Sequence, residues 1–263
     1  MLKKIFKENS HNPILKVLAG IGRSLNRLYE NRNHNPYSNG EVTILRKISK
    51  FKPDVIFDGG ANVGNYAKLI NLYCPAASVY CFEPVKETFN KLQNNCSSNK
   101  KNILVNKGLY NENCFKLINV FPSDEHASLY DINNAKDSST ATIEIELIKG
   151  DDYVLEQKIE SIFLLKLDLE GAEYDAIQGF EKIIKNNSVK AIQFEYGYIN
   201  IVSKHLLIDY YKLLESYGYL IGKVFPKTVE FRNYDYKYED FIGPNFIAVH
   251  KNEFDLIRLL SNK

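Results

Sequence analysis

Asp58, Glu83, Asp168 and Glu195 each stand directly after a run of apolar residues: Val55-Ile56-Phe57, Val79-Tyr80-Cys81-Phe82, Ile162 to Leu167 and Val189 to Phe194. Runs of this length and composition read as buried strands, and the carboxyl edge of an open α/β sheet is where ligands bind. Four acids at strand ends therefore predict one acidic ligand edge. A carboxylate after the second strand can accept hydrogen bonds from both hydroxyls of a ribose, and Glu83 suits that role.

The turn after Asp58, Gly59-Gly60-Ala61-Asn62-Val63-Gly64, selects between ligands that carry a ribose. A dinucleotide needs three spaced glycines so that pyrophosphate can rest on bare backbone at a helix start. This turn is only a loose match, and Asp58 directly ahead of it would repel pyrophosphate. The same carboxylate would attract the ammonium of a methionine moiety and favour a nearby sulfonium, so S-adenosylmethionine is expected over a nicotinamide cofactor.

Lys166, Asp168 and Glu170 alternate through the fourth strand and would share one face if the extended run continued. Charges in a leucine-rich strand must pair, so Lys166 and Asp168 form either a structural ion pair or part of an active-site network. Glu173 reads as an acid complementing a helix dipole. His126, in the polar stretch between two strand-like runs, is either a solvated loop residue or a group folded over the substrate. Asp168 and Glu195 offer only two oxygen ligands, so no metal is expected.

The elements that would position these residues alternate strand and helix from residue 54 onward, which predicts a mostly parallel, Rossmann-like sheet. Tyr219 to Val224 and Asn245 to Val249 lie too close for a crossover helix and predict a hairpin with one antiparallel edge strand. Phe115 to Phe121 and Ala141 to Ile148 read as an inserted hairpin, and Glu170 to Asn186 as one helix. Residues 31 to 40 are rich in Asn, Pro, Gly and Ser and read as a loop. The expected division is an N-terminal helical appendage with its loop over residues 1–40, then one domain over 41–263.

Within the appendage, Ile14, Leu18, Ile21, Leu25 and Leu28 step by four and three, with Lys16, Arg23 and Arg27 between them. This is a basic amphipathic helix, packed on its own domain, on a second subunit or on a membrane surface. No window is apolar enough for a membrane span. A net charge of +2 gives no reason to expect nucleic acid. The four cysteines form no CxxC pair and no cleavable signal precedes them, so they read as buried apolar residues in a cytoplasmic protein.

The segments DGGANVGNY, CFEPVKETF, KGLYNE, LLKLDLEGAEYDAIQGF and QFEYG, in this order and spacing, resemble the FkbM-type S-adenosylmethionine-dependent methyltransferases from about Asn39 to about Glu195. The resemblance implies the seven-stranded class I methyltransferase sheet. It further implies Asp58, Gly60, Asn62 and Gly64 at the methionine moiety, Glu83 at the ribose, and Lys107 and Gly108 near the adenine. Asp168, Glu170, Lys166 and His126 are the catalytic candidates. The expected activity is O-methylation of a hydroxyl on a sugar, a glycan precursor or a secondary metabolite. A catalytically silent scaffold of the same fold is the alternative, and a nicotinamide-dependent oxidoreductase a distant third.

Overall fold

In the computed structural model, residues 7–120, 127–130 and 141–262 are described. The chain opens with α1 (Pro13–Tyr29) and α2 (Glu41–Ile48), then enters the sheet through β1 (Val55–Gly59). Alternation follows as expected: α3 (Asn65–Tyr73), β2 (Ser78–Phe82), α4 (Lys86–Cys96) and β3 (Asn102–Val105). A second layer is built from β4 (Gly108–Tyr110), β5 (Cys114–Val120), β6 (Ala127–Ser128) and β7 (Ala141–Lys149). The chain returns through α5 (Gly150–Glu156), β8 (Ile162–Leu167), α6 (Glu173–Gly179), α7 (Glu181–Lys185) and β9 (Val189–Glu195). It finishes with α8 (Ile199–Ser203), α9 (Leu207–Ser216), β10 (Tyr219–Val224), β11 (Val229–Phe231), β12 (Asn245–His250) and α10 (Phe254–Ser261).

The main sheet has eight strands in the order β11-β10-β12-β9-β8-β1-β2-β3. Strands β9, β8, β1, β2 and β3 run parallel, and β12 lies antiparallel between β9 and β10. The expectation of one antiparallel strand at the edge is thus corrected: β12 is interior, and β11 is a further antiparallel strand at the edge. Burial explains the order. All six residues of β12 are buried, which requires neighbours on both sides, whereas the short β11 leaves Glu230 in solvent and tolerates an open edge. The mostly parallel, Rossmann-like class holds.

The inserted hairpin is real, with β5 and β7 antiparallel from Cys114↔Leu147 to Val120↔Ala141. It is larger than expected, because β4 adds parallel to β7 and β6 antiparallel to β5, making a four-stranded sheet. The helix expected over 170–186 also differs. Glu170 and Gly171 take left-handed backbone angles, so α6 starts only at Glu173, and Phe180 separates α6 from α7. Cys74, Cys81 and Cys96 are buried and unpaired, as expected, and Cys114 is half-buried.

The core lies on both faces of the main sheet. One side packs α2, α3, α4 and α10 through residues such as Leu45, Ile70, Leu92 and Leu260. The other packs α6, α7 and α9 through Ile177, Ile184 and Leu214. Covered on both faces, the sheet meets solvent chiefly at its strand ends, and its carboxyl end is where ligands bind in such folds. No residue of α1 is buried. Among the described residues, no helix is long and apolar enough to cross a membrane.

Candidate functional site

The turn after β1 is built so that backbone, not side chain, lines the sheet edge. Gly60 and Ala61 both donate their N–H groups to the Phe82 carbonyl, at 3.1 and 2.9 Å, tying β1 to β2. Gly60 has φ +74°, and a Cβ there would collide with the Asp168 carbonyl oxygen. Asp168 N–H in turn donates to the Gly59 carbonyl at 3.1 Å. The ends of β1, β2 and β8 are thus stitched into one rim.

On this rim Glu83 is held by backbone donors. Asn62 N–H reaches its Oε2 at 3.1 Å and Val85 N–H its Oε1 at 2.9 Å. Each carboxylate oxygen therefore keeps a lone pair for a further donor, and together they can receive two neighbouring hydroxyls. Burial pushes the Glu83 carboxyl up to about 7, against the opposing pull of the two N–H groups. Asn106, not anticipated from the sequence, donates to the carbonyls of Glu83 and Pro84 at 2.9 and 3.0 Å and fixes the turn that carries them.

Glu83 opens onto a cavity of about 200 Å³ between the rim and the second sheet. Its polar wall is Gly60, Asn62, Glu83, Asp168 and Glu170, and its apolar wall includes Val85, Leu109, Ile118, Leu129, Ile145 and Leu147. A flat apolar group carrying a diol matches both walls. The β6 segment closes this wall by alternation: Ala127 and Leu129 line the cavity, while Ser128 donates to the Glu170 carbonyl at 2.7 Å and Tyr130 to Asp175 at 3.3 Å.

Behind the rim is a buried charge cluster. Lys166 Nζ lies 3.1 Å from Asp168 Oδ2, 3.5 Å from Asp58 Oδ1 and 4.7 Å from the centre of the Tyr66 ring. Asp58 is fully buried, and neither of its oxygens accepts a hydrogen bond. Burial pushes it up to about 6, with Lys166 opposing. Burial alone would discharge the Lys166 ammonium, but Asp168, Asp58 and Glu41 outweigh it and hold the lysine well above its ordinary range. Burial also raises Glu195 well above the usual carboxylate range, helped by Asp168 and Glu170.

Glu41 is a member of this cluster that the sequence did not place. It starts α2 after Gly40, whose φ of +111° lets the backbone pass against Phe225. Asn39 Nδ2 donates to its Oε2 at 2.8 Å and Gln193 Nε2 to its Oε1 at 3.2 Å. Gln193 also donates to Asn245 Oδ1 at 3.2 Å. The available signal was a polar glutamine inside the apolar run of β9, since a buried amide must find partners.

The remaining candidates are distributed unevenly. Lys166 and Asp168 meet, but the strand stops at Leu167 and Glu170, with φ +50°, does not continue their face; it reaches the cavity from the loop. Gly108 lines the cavity, whereas Lys107 is directed away from it and pairs with Glu146 at 2.7 Å. Gly64 lies off the cavity against Cys96. His126 falls outside the described residues. Glu173 does more than complement a dipole: its carboxylate accepts from Leu169 N–H at 2.7 Å and Gly171 N–H at 3.1 Å, shaping the loop that carries Asp168 and Glu170. Among the described residues, no cluster of three or more His, Cys, Asp or Glu side chains could hold a metal.

The model of the methyltransferase FkbM domain matches residues 58–221, from Asp58 into β10. The chain belongs to the FkbM methyltransferase family. Among its relatives, the hexuronic acid methyltransferase AglP of Haloferax volcanii is 24% identical over 161 residues, covering 60% of this chain and 64% of AglP. Methyltransferase 1 of Beauveria bassiana is 25% identical over 175 residues, covering 56% of this chain and 70% of the relative. The solved methyltransferase FkbM of Methylobacillus flagellatus is 15% identical with a TM-score of 0.49, over 75% of this FkbM-family chain and 44% of its own. This FkbM-family chain thus spans under two thirds of AglP and under half of the solved protein.

Proposed function

We propose that this protein is an S-adenosylmethionine-dependent O-methyltransferase whose acceptor is a hydroxyl of a sugar or glycan. The observation that carries the reading is the pairing, on one rim, of a backbone-held diol acceptor with an acidic cluster short of cations. Asp58 and Asp168 share the single ammonium of Lys166. A ligand bearing an ammonium and a sulfonium supplies the missing positive charge, and a pyrophosphate would add to the excess of negative charge.

S-adenosylmethionine supplies, when bound, a methyl group on a cationic sulfur. Glu83 would take its ribose hydroxyls, and Val85, Gly108, Leu109 and Leu147 would enclose its base. The Gly60–Asn62 backbone, with the field of Asp58 behind it, would receive its methionine end. The chain's own contribution to transfer is alignment in a site walled on one side by the apolar face of the second sheet. Asp168 is the group placed to accept the proton of an acceptor hydroxyl. It is partly exposed at the rim, and the Lys166 ammonium holds its other side.

The sugar acceptor draws support from AglP, which is named for methylation of hexuronic acid. The test is an acceptor screen with the purified chain, scoring formation of S-adenosylhomocysteine on uronic acid glycans, neutral glycans and phenolic metabolites. Turnover with the glycans supports the reading. Turnover confined to phenols would replace the acceptor class, and no turnover with any acceptor would favour a silent member of the fold.

A further inference from the structure

We propose that α1 is a docking element for an anionic lipid surface and holds the sheet's carboxyl edge beside that surface. Ile14, Val17, Leu18, Ile21, Leu25 and Leu28 form one apolar stripe, and they are between 52% and 77% exposed. At about 100° per residue, Lys16, Arg23 and Arg27 fall on the opposite side. The helix from Pro13 to Tyr29 contains no acidic residue. An apolar stripe opposed by a basic face is the pattern of a helix lying in a membrane interface.

The alternative occupant, a second copy, fits less well. Two copies packed stripe to stripe would leave both basic faces turned outward with no acid on either helix to pair with them, whereas anionic headgroups supply that counter-charge.

The base of the helix is firmly fixed. Glu30, its C-cap, accepts from the buried Lys223 at 2.9 Å, and Asn31 donates to the Val224 carbonyl at 3.0 Å. Lys223 and Val224 close β10, which runs in the same direction as β9, so α1 springs from the edge that carries Glu195. Arg27 and Arg32 share a depression there with Tyr198 and Phe241. Tyr198, Ile201 and Leu206, on or beside α8 at this edge, are also exposed apolar residues. A surface that receives α1 therefore lies beside the rim.

The test needs no methyl donor and is separate from the catalytic reading. The full chain is sedimented with phosphatidylcholine vesicles, alone or with ~30% phosphatidylglycerol. Binding is expected to the anionic vesicles at low salt and to weaken at ~0.5 M NaCl. Leu18→Glu with Leu25→Glu should abolish it, and Arg23→Glu with Arg27→Glu should weaken it by roughly tenfold or more. Both variants should melt with the parent chain, because no α1 residue is buried. Failure to bind anionic vesicles, or equal binding by the leucine variant, would overturn the proposal. So would a lowered melting point in that variant, or a dimer by light scattering that the leucine changes dissolve while vesicles are ignored.

Discussion

Asp58 and Lys166 are partners in register across β1 and β8, and their side chains meet behind the rim with Nζ 3.5 Å from Oδ1. The carboxylate has no other compensation, since neither oxygen accepts a hydrogen bond. The lysine is shared with Asp168. Electrostatic complementarity at this edge is therefore incomplete in the protein alone.

Lys166→Met should remove the cation common to these acids and leave them buried without a counter-charge. Breaking such a cluster costs about 3–5 kcal/mol. Urea unfolding at pH 7 should show a clear fall in midpoint with little change in slope. An unchanged midpoint would mean that the acids are already discharged and that Lys166 does not hold them.

Asp168→Asn separates binding from chemistry. The amide keeps the shape and a hydrogen bond at the rim but loses proton affinity, so donor affinity should remain within a few-fold while turnover falls by at least ~100-fold. Turnover at the parent rate would remove Asp168 as the base and turn attention to Glu170, which reaches the same cavity.

Stability should depend on pH through Glu173. Burial raises its carboxyl from 4.5 to about 8, so the folded chain holds a proton that the unfolded chain releases. That contribution is complete below about 4.5 and is lost as pH rises through about 8. The protein without ligand should thus be more stable at pH 6 than at pH 8.5 by thermal melting, and Glu173→Gln should reduce the difference. A rising profile over that range would contradict the assignment.

Donor binding should run the other way. Glu83 must be ionised to accept from two hydroxyls, and its carboxyl lies at about 7. Affinity should therefore tighten on the order of tenfold from pH 6 to pH 8. Calorimetry in buffers of different ionisation enthalpy should register proton release, enlarged by Asp58 at about 6. Proton uptake on binding would reverse the sign and exclude both carboxylates as sites of the linked ionisation.

The strand-end acids were legible because an apolar run closed by an acid is a local pattern. The glycine turn was legible because Gly59 and Gly60 directly follow an apolar run, and Gly60 there takes φ +74°. The position of β12 was not, since sequence spacing shows that two strands are near one another but not which neighbour each takes. Glu41 reaches the cluster from well outside β1 through Gln193, a contact spanning 152 residues that no local spacing encodes. The direction of Lys107 was hidden for a related reason: the register of β4 against β7 sends the lysine toward Glu146 and leaves Gly108 at the cavity.

Isothermal titration of S-adenosylmethionine into the parent chain and into Glu83→Ala tests the site most directly. Saturable one-site binding is expected for the parent. The variant loses two charge-assisted hydrogen bonds of about 1.5–3 kcal/mol each, so its affinity should fall by at least ~100-fold. Equal affinity in the two proteins, or no binding to a folded parent chain, would contradict the placement of the methyl donor on this rim.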